Sequence, residues 1–342
     1  MKYLISPDKK QYKANLHCHS TLSDGNLTPE ELKAVYRRYG YDILAITDHE
    51  YPKNHSDLGE EGFLMLTGYE GYIRSQPNNQ SDRFGPEIHV NFFARQPENE
   101  TLICYNKPYG KYMNEERLAQ LVRAGSERPR EYTRQYINEY IQTARDNGYL
   151  VTYNHPWWSR ETEADILAYE GYFSMEMCNY GCHVISHLEY NGALYDKVLR
   201  SGKRVFCHST DDNHNKFPEG HPEWDSCGAY TMILSDELAY DRVISAMESG
   251  EMYSSMGPRF KEVSFDGKQV HVECSEVAGV YVFCGSKSPR RVLAENGKTL
   301  TSADIVIDEM SPYIRVSIVD REGKAADTRG YFRDELGLPA LA

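Results

Sequence analysis

The sequence predicts an α/β protein followed by a small antiparallel β domain. Three observations carry this. Short apolar runs alternate with amphipathic stretches from about residue 27 to residue 249, the pattern of βα units and a mostly parallel sheet or barrel. Histidines and carboxylates recur where the apolar runs end, which is where α/β folds gather their chemistry. After Gly257-Pro258 the helical patterns cease and short strand-like runs separated by turns take over, as in a small sandwich. The expected domains are therefore 1–257 and 258–342.

Taken in order, Leu16 to Ser20 reads as a strand with His17 and His19 on one face, ~6.6 Å apart at ~3.3 Å per residue. Two imidazoles so placed can grip one ion; a strand with two satisfied histidines is the alternative. Asp24-Gly25 forms the loop after it. Thr28-Pro29-Glu30-Glu31 opens a helix with a capping box and proline in the first turn, and Gly40 stops it. Residues 42–47, 63–66, 88–94, 149–153, 172–177, 204–208 and 228–234 read as strands. Residues 114–123, 130–147, 186–200 and 236–249 read as helices. Beyond 258, strands are expected at 261–265, 269–274, 279–284, 304–307 and 313–319, with turns at Gly267-Lys268, Glu295-Asn296-Gly297 and Glu322-Gly323.

Composition narrows the function. The 342 residues carry 38 Lys and Arg against 51 Asp and Glu, a net charge of −13. Duplex nucleic acid is disfavoured as a partner, because phosphate backbones need a basic footprint. A phosphorylated small molecule is not, since bound cations invert the local potential. The eight cysteines are scattered without a CxxC pair and read as buried thiols of a reducing, cytoplasmic compartment. No signal-peptide pattern and no run of 18 apolar residues is visible, so no membrane association is expected. The 27 tyrosines suit either wet clefts or the core. Nothing in the sequence fixes an oligomeric state.

Six histidines, His17, His19, His49, His89, His155 and His214, lie at or beside the expected strand ends, with Asp24, Glu70 and Asp212 as carboxylate partners. Imidazole and carboxylate together suit Zn, Mn or Fe. Nine ligands exceed one tetrahedral site and suit two or three divalent ions sharing a bridging carboxylate. Asp48, next to His49, is expected to orient a ligand rather than to be one. His208, before the last motif, is expected beside the ligands as a supporting catalytic residue. His183 and His187 are candidate pocket residues, and His55, His221 and His271 are expected on loops or the surface.

His17-x-His19, Ser23-Asp24-Gly25, Ile46-Thr47-Asp48-His49, Glu70, His89, Asn154-His155-Pro156 and Asp212-x-His214 resemble the PHP (polymerase and histidinol phosphatase) superfamily over about residues 12–257. The stretch Ser249 to Pro258 and the closing Tyr313-Ile314-Arg315-Val316 with Asp320 to Gly323 resemble its stand-alone metallohydrolases related to carbaryl hydrolase. The resemblance implies a distorted (β/α)7-type barrel with up to three metal ions. It implies one site of His17, His19, Glu70 and Asp212, a second of Glu70, His89 and His155, and a third of Asp24, His49 and His214. Asp24 stands where many members have histidine, and Asp211 replaces a small residue; the Asp-x-His spacing favours Asp212 over Asp211.

The activity so implied is hydrolysis of a small phosphorylated metabolite by a metal-bridging hydroxide. Arg160, five residues after His155, is the expected phosphate clamp, with Lys107 and Arg83 behind it. An amidase, carbamate or carboxyl-ester hydrolase is the alternative, since the same chemistry acts on a carbonyl carbon. A non-catalytic metal-binding scaffold with a ligand-binding β domain is a second alternative.

Overall fold

The computed structural model describes residues 1–75 and 84–341. Its α/β character follows from the local signals. Thr28 caps the helix Pro29–Arg38 through the reciprocal box with Glu31, and Gly40 leaves it at φ 70°, a conformation only glycine adopts freely. This helix buries Leu32 and Tyr36; the helix Arg134–Asp146 buries Tyr136, Ile137, Tyr140, Ile141 and Ala144. Many tyrosines are thus core residues, including Tyr36, Tyr69, Tyr140 and Tyr195. Some of their hydroxyls find buried partners: Tyr36 donates to Asp211 and Tyr195 to the carbonyl of Val205, which offsets the cost of burying a phenol.

One long sheet runs in the order Phe206–Thr210, Ser174–Asn179, Tyr149–Tyr153, Glu87–Ala94, Leu64–Arg74, Ile43–Ile46, Lys10–Asn15, Tyr230–Ser235, Met252–Ser255, and then Ala325–Thr328, Tyr313–Val319, Gly279–Phe283 and Arg290–Leu293. The expected mostly parallel order needs correcting. Four of the first-half pairings are parallel, but Glu87–Ala94 is antiparallel to both neighbours. Ser75 N–H donates to the Pro86 carbonyl, so the two strands stay paired as an antiparallel hairpin up to residues 75 and 86. The reversal has a functional result. It brings His89, near the start of its strand, to the same rim as the ends of the parallel strands.

Ser209 N–H donates to Thr231 Oγ1, which donates to the Ser209 carbonyl. The sheet therefore curls until its first strand meets Tyr230–Ser235, although no backbone ladder closes it among the described residues.

Several boundaries differ from expectation. The first inner strand is Lys10–Asn15, whose polar sequence hides it, and Leu16 to Ser20 lies beyond its end. The expected helix 186–200 is two helices, Tyr180–Ser186 and Gly192–Arg200. Asn179 caps the first, and His187 ends it in left-handed backbone. In the C-terminal part, Arg290–Leu293, Ala325–Thr328 and Tyr331–Phe332 join the expected strands. That part is stitched to the rest by ladders. Met252–Ser255 pairs with Ala325–Thr328, and a second sheet pairs the N-terminal strand Lys2–Ile5 with Phe260–Phe265. No helix of the described residues is long and apolar enough to cross a membrane.

Candidate metal centre

His17 and His19 stand just past the Lys10–Asn15 strand, where the chain zips onto the 211–213 loop. Asp212 N–H donates to the His17 carbonyl, and His19 N–H to that of Asn213. The two Nε2 atoms come within 3.3 Å of each other, and both lie 3.0–3.1 Å from Asp212 Oδ1. Asp212 itself sits at φ 49° and His155 at φ 25°. Such backbone costs on the order of 1–3 kcal/mol per residue, here borne by two of the candidate ligands.

Glu70 is the centre of the arrangement. It lies within the 11-residue strand Leu64–Arg74 rather than at its end, because the hairpin prolongs that strand. Its carboxylate approaches His17 (3.1 Å), His19 (3.5 Å), His49 (2.9 Å), His89 (3.2 Å) and His155 (3.4 Å). Three groups of side chains converge tightly enough to hold an ion: His17, His19 and Asp212; His49, Glu70 and His89; and His19, Asp24, His49 and His214. Eight of the nine candidate ligands fall in these groups, and the ninth, His155, lies 3.4 Å from Glu70; His49 and His19 each also reach a group beyond the one expected.

The donor set fits divalent ions. His49 Nδ1, Glu70 Oε2 and both ring nitrogens of His89 are buried without a hydrogen-bond partner among the described residues, although carboxylates lie close by. An uncompensated buried polar atom is costly, and a cation bound among these groups would remove the cost.

The metal-free electrostatics tell the same story. Burial alone would lower His89, but Glu70 and Glu87 push it up to about 10. His214, likewise lowered by burial, is raised to about 8 chiefly by Asp24 and Asp212. Burial, with His49 and His214 nearby, takes His19 down to about 4. Against their own burial, Asp24, Glu70 and Asp212 are held well below the ordinary carboxylate range by these histidines. Protons on imidazole supply the positive charge the carboxylates need.

Outer hydrogen bonds orient the ligands. His17 Nδ1 meets Glu176 Oε1 at 2.9 Å; a carboxylate only accepts, so Nδ1 carries the proton and Nε2 faces the ligand cluster. Glu176 also accepts from Thr210 Oγ1, His155 N–H and Asn179 Nδ2. His155 Nδ1 meets Ser159 Oγ, and Asn154 Nδ2 donates to Glu70. Asp48 accepts from Ser20 N–H, Ser20 Oγ and Ser23 Oγ, so it braces the loop that carries Asp24. Asp211 turns away from the cluster and accepts three backbone N–H groups, of Cys227, Gly228 and Ala229. Sequence reasoning missed Glu176. The available signal was a carboxylate inside an apolar strand, a position charged residues occupy only when paired.

The cluster floors a cavity of about 450 Å³, whose walls include Arg74, Trp158, Cys182, Ile185, Lys216 and Phe217. Arg160 is not among the described cavity-lining residues; it is exposed, in left-handed backbone at φ 58°. The cations on the wall are Arg74, whose Nε donates to Glu87, and Lys216. Lys107 is exposed outside the cavity lining, and Arg83 lies outside the described residues. His208 is wholly buried, with Nδ1 2.7 Å from Ser174 Oγ, and so does not reach the cavity. His183 and His187 pack on each other while Val184 and Ile185 take the wall. His55 is buried, contrary to expectation; His221 stacks on Phe217, and His271 pairs with Asp304.

A model of the PHP domain matches residues 15–190, a little over half of the chain. The chain belongs to the PHP family. Among characterised proteins, a 5'-3' exoribonuclease of Haemophilus influenzae is 42% identical over 64 residues, which cover 17% of this chain and 23% of that protein. The PHP chain thus matches about a quarter of that relative's length. Among solved structures, a two-domain Bacteroides vulgatus protein, described as containing a predicted PHP-like metal-dependent phosphoesterase, is 15% identical, with 94% of each chain covered and a TM-score of 0.46. A Bifidobacterium adolescentis protein described as a putative metal-dependent phosphoesterase is 18% identical over 61% of this chain and 90% of its own, TM-score 0.37. An amidohydrolase of Chromobacterium violaceum, with bound sulfate and no metal, is 16% identical over 70% of this chain and 96% of its own, TM-score 0.42. PHP proteins are metal-dependent hydrolases, and the candidate ligand groups of this PHP chain accord with that chemistry.

Proposed function

We propose that this chain is a metal-dependent phosphoesterase acting on a small phosphorylated metabolite in the cytoplasm. The observation that carries the proposal is a carboxylate-imidazole floor centred on Glu70 beneath a cavity with Arg74 and Lys216 on its wall. His17, His19, Glu70 and Asp212 would hold one ion, and Glu70, His89 and His155, with His49 near, a second. Asp24, His49 and His214, with His19 near, would hold a third. Bound there, Zn, Mn or Fe would supply Lewis acidity and an ionised water at neutral pH.

The chain's own residues do the rest. Arg74, steadied by Glu87 through its Nε at 2.8 Å, can present guanidinium N–H groups to phosphate oxygens. Lys216 adds charge at the mouth. Trp158, Ile185 and Phe217 form an apolar wall for the leaving group and shed water from it. The proposal includes the barrel form, supported by the curl that brings Ser209 to Thr231, and a C-terminal β domain from residue 258.

The test is phosphate release from sugar phosphates, nucleotides and p-nitrophenyl phosphate after loading with Mn, Zn or Fe. We expect turnover with at least one metal, and a raised KM for Arg74→Ala but not for Arg160→Ala. Full metal loading with no phosphate release would refute the proposal. The apolar wall favours one second reading, a carboxyl-ester or carbamate hydrolase, which aryl esters and carbamates would then reveal.

A further inference from the structure

The segment Glu189-Tyr190-Asn191 touches three parts of the molecule at once. Glu189 is fully buried, and its carboxylate accepts the N–H groups of Trp157 (3.1 Å) and Trp158 (2.8 Å) and Nδ2 of Asn191 (2.8 Å). Those tryptophans follow His155 after the single residue Pro156. Trp158 sets its ring edge-on against His89 and His155, at 5.2 and 4.9 Å between centroids. Asn191 docks on the strand that carries Glu176: its N–H donates to the Met177 carbonyl and its Nδ2 to that of Glu176. Tyr190 faces the other way. Its hydroxyl donates to Asp327 Oδ2 at 2.7 Å, and Asp327 Oδ1 takes Arg315 Nη1 at 2.6 Å. Arg315 and Asp327 are both buried, 1% exposed each, and both belong to the C-terminal strands.

From this bracket we infer that the C-terminal sheet positions the His155–Trp158 turn at the metal centre, acting through the Arg315–Asp327 pair, Tyr190 and Glu189. The inference rests on the metal-binding reading of the site. The physical logic is that His155 sits in unfavourable left-handed backbone, which persists only where its surroundings over-determine it. Two adjacent N–H groups clamped by one buried carboxylate do that. The carboxylate in turn is held in register because its neighbour is tied to a buried ion pair, whose rupture leaves an uncompensated charge. Glu189, Tyr190 and Asp327 are positioning residues; none reaches the cavity.

The experiment titrates Mn or Zn into the metal-free full-length protein and into Glu189→Gln, Tyr190→Phe and, as a control, Val282→Ala. Val282 is buried in the C-terminal sheet and touches none of the bracket's hydrogen bonds. We expect Glu189→Gln to bind metal about tenfold more weakly, the lower end of outer-shell changes, and Tyr190→Phe, one contact further from the ligands, about threefold. Val282→Ala should lower the melting temperature while leaving affinity intact. The inference is overturned if Tyr190→Phe, folded by circular dichroism, binds as the unaltered protein does. It is equally overturned if Val282→Ala weakens binding to the same degree, because the effect would then be general destabilisation. If the unaltered protein bound no metal, the metal reading itself would fall, and this inference with it.

Discussion

Glu176→Gln is the sharpest test of how the centre is held. The change keeps shape and removes one acceptor oxygen. Glu176 accepts four hydrogen bonds: from His17 Nδ1 (2.9 Å), Thr210 Oγ1 (2.6 Å), His155 N–H (2.7 Å) and Asn179 Nδ2 (2.9 Å). A glutamine must turn its NH2 to one side or the other. Facing His155 and Asn179, it opposes two donors with a donor, at about 1–3 kcal/mol for each group left unsatisfied. Facing His17, it forces Nδ1 to accept, which moves the ring proton to Nε2, the nitrogen aimed at Asp212. Either orientation disturbs a ligand. Removing such a support lowers metal affinity about 10- to 100-fold, or roughly 1.4–2.7 kcal/mol. Calorimetric titration of the metal-free protein with Zn or Mn, alongside metal content after equilibrium dialysis, reads this directly. A folded Glu176→Gln with full metal content and unchanged affinity would refute the role given to this carboxylate.

Three further outcomes are expected. Asp24→Ala should lose one ion per chain while the ions near Glu70 stay; unchanged stoichiometry would remove Asp24 from the ligand set. Asp212→Asn should abolish loading at the His17 and His19 group, whereas Asp211→Asn should keep its metal and lose about 1–3 kcal/mol in urea melts, because its amide would confront backbone N–H donors. In the metal-free protein, His214 (about 8) and His89 (about 10) lie above their ordinary 6.5. Their stabilisation is complete below about pH 6.5 and fades as pH rises through 8 and then 10. Asp24, Glu70 and Asp212 lie below their ordinary values, so their contribution holds above about pH 4 and is lost in acid. From these five groups, the metal-free melting temperature should fall as pH rises from about 6.5 through 8 to 10, and fall again in acid below about pH 4. Metal binding at pH 7 should release protons, seen as a buffer-dependent heat.

The helix Pro29–Arg38 was legible because its signals are local: Thr28 and Glu31 cap each other whatever surrounds them. The ligand histidines were legible because they recur in a fixed order along the chain. What escaped depends on distant partners. Lys10–Asn15 looks polar, since its strand character comes from pairing with Ile43–Ile46 and Tyr230–Ser235. The reversal of Glu87–Ala94 is a choice of neighbours that the apolar run 88–94 does not encode. Glu176 gains its role only when folding brings His17 within 2.9 Å, across 159 residues. Arg160 looked like a clamp by its spacing from His155, but left-handed backbone at Arg160 accompanies an exposed position, and the wall cation came instead from Arg74 on a different strand.

The ladders across residue 257 bear on how the molecule comes apart. Ending the chain there would strip Met252–Ser255 of Ala325–Thr328 and Lys2–Ile5 of Phe260–Phe265, baring two strand edges that invite aggregation. It would also remove both members of the buried Arg315–Asp327 pair. Because the first strand of the chain is zipped to one of the late ones, a nascent polypeptide cannot finish its first sheet until residues beyond 260 have left the ribosome. Synthesis and folding of this protein are thereby tied to its last quarter.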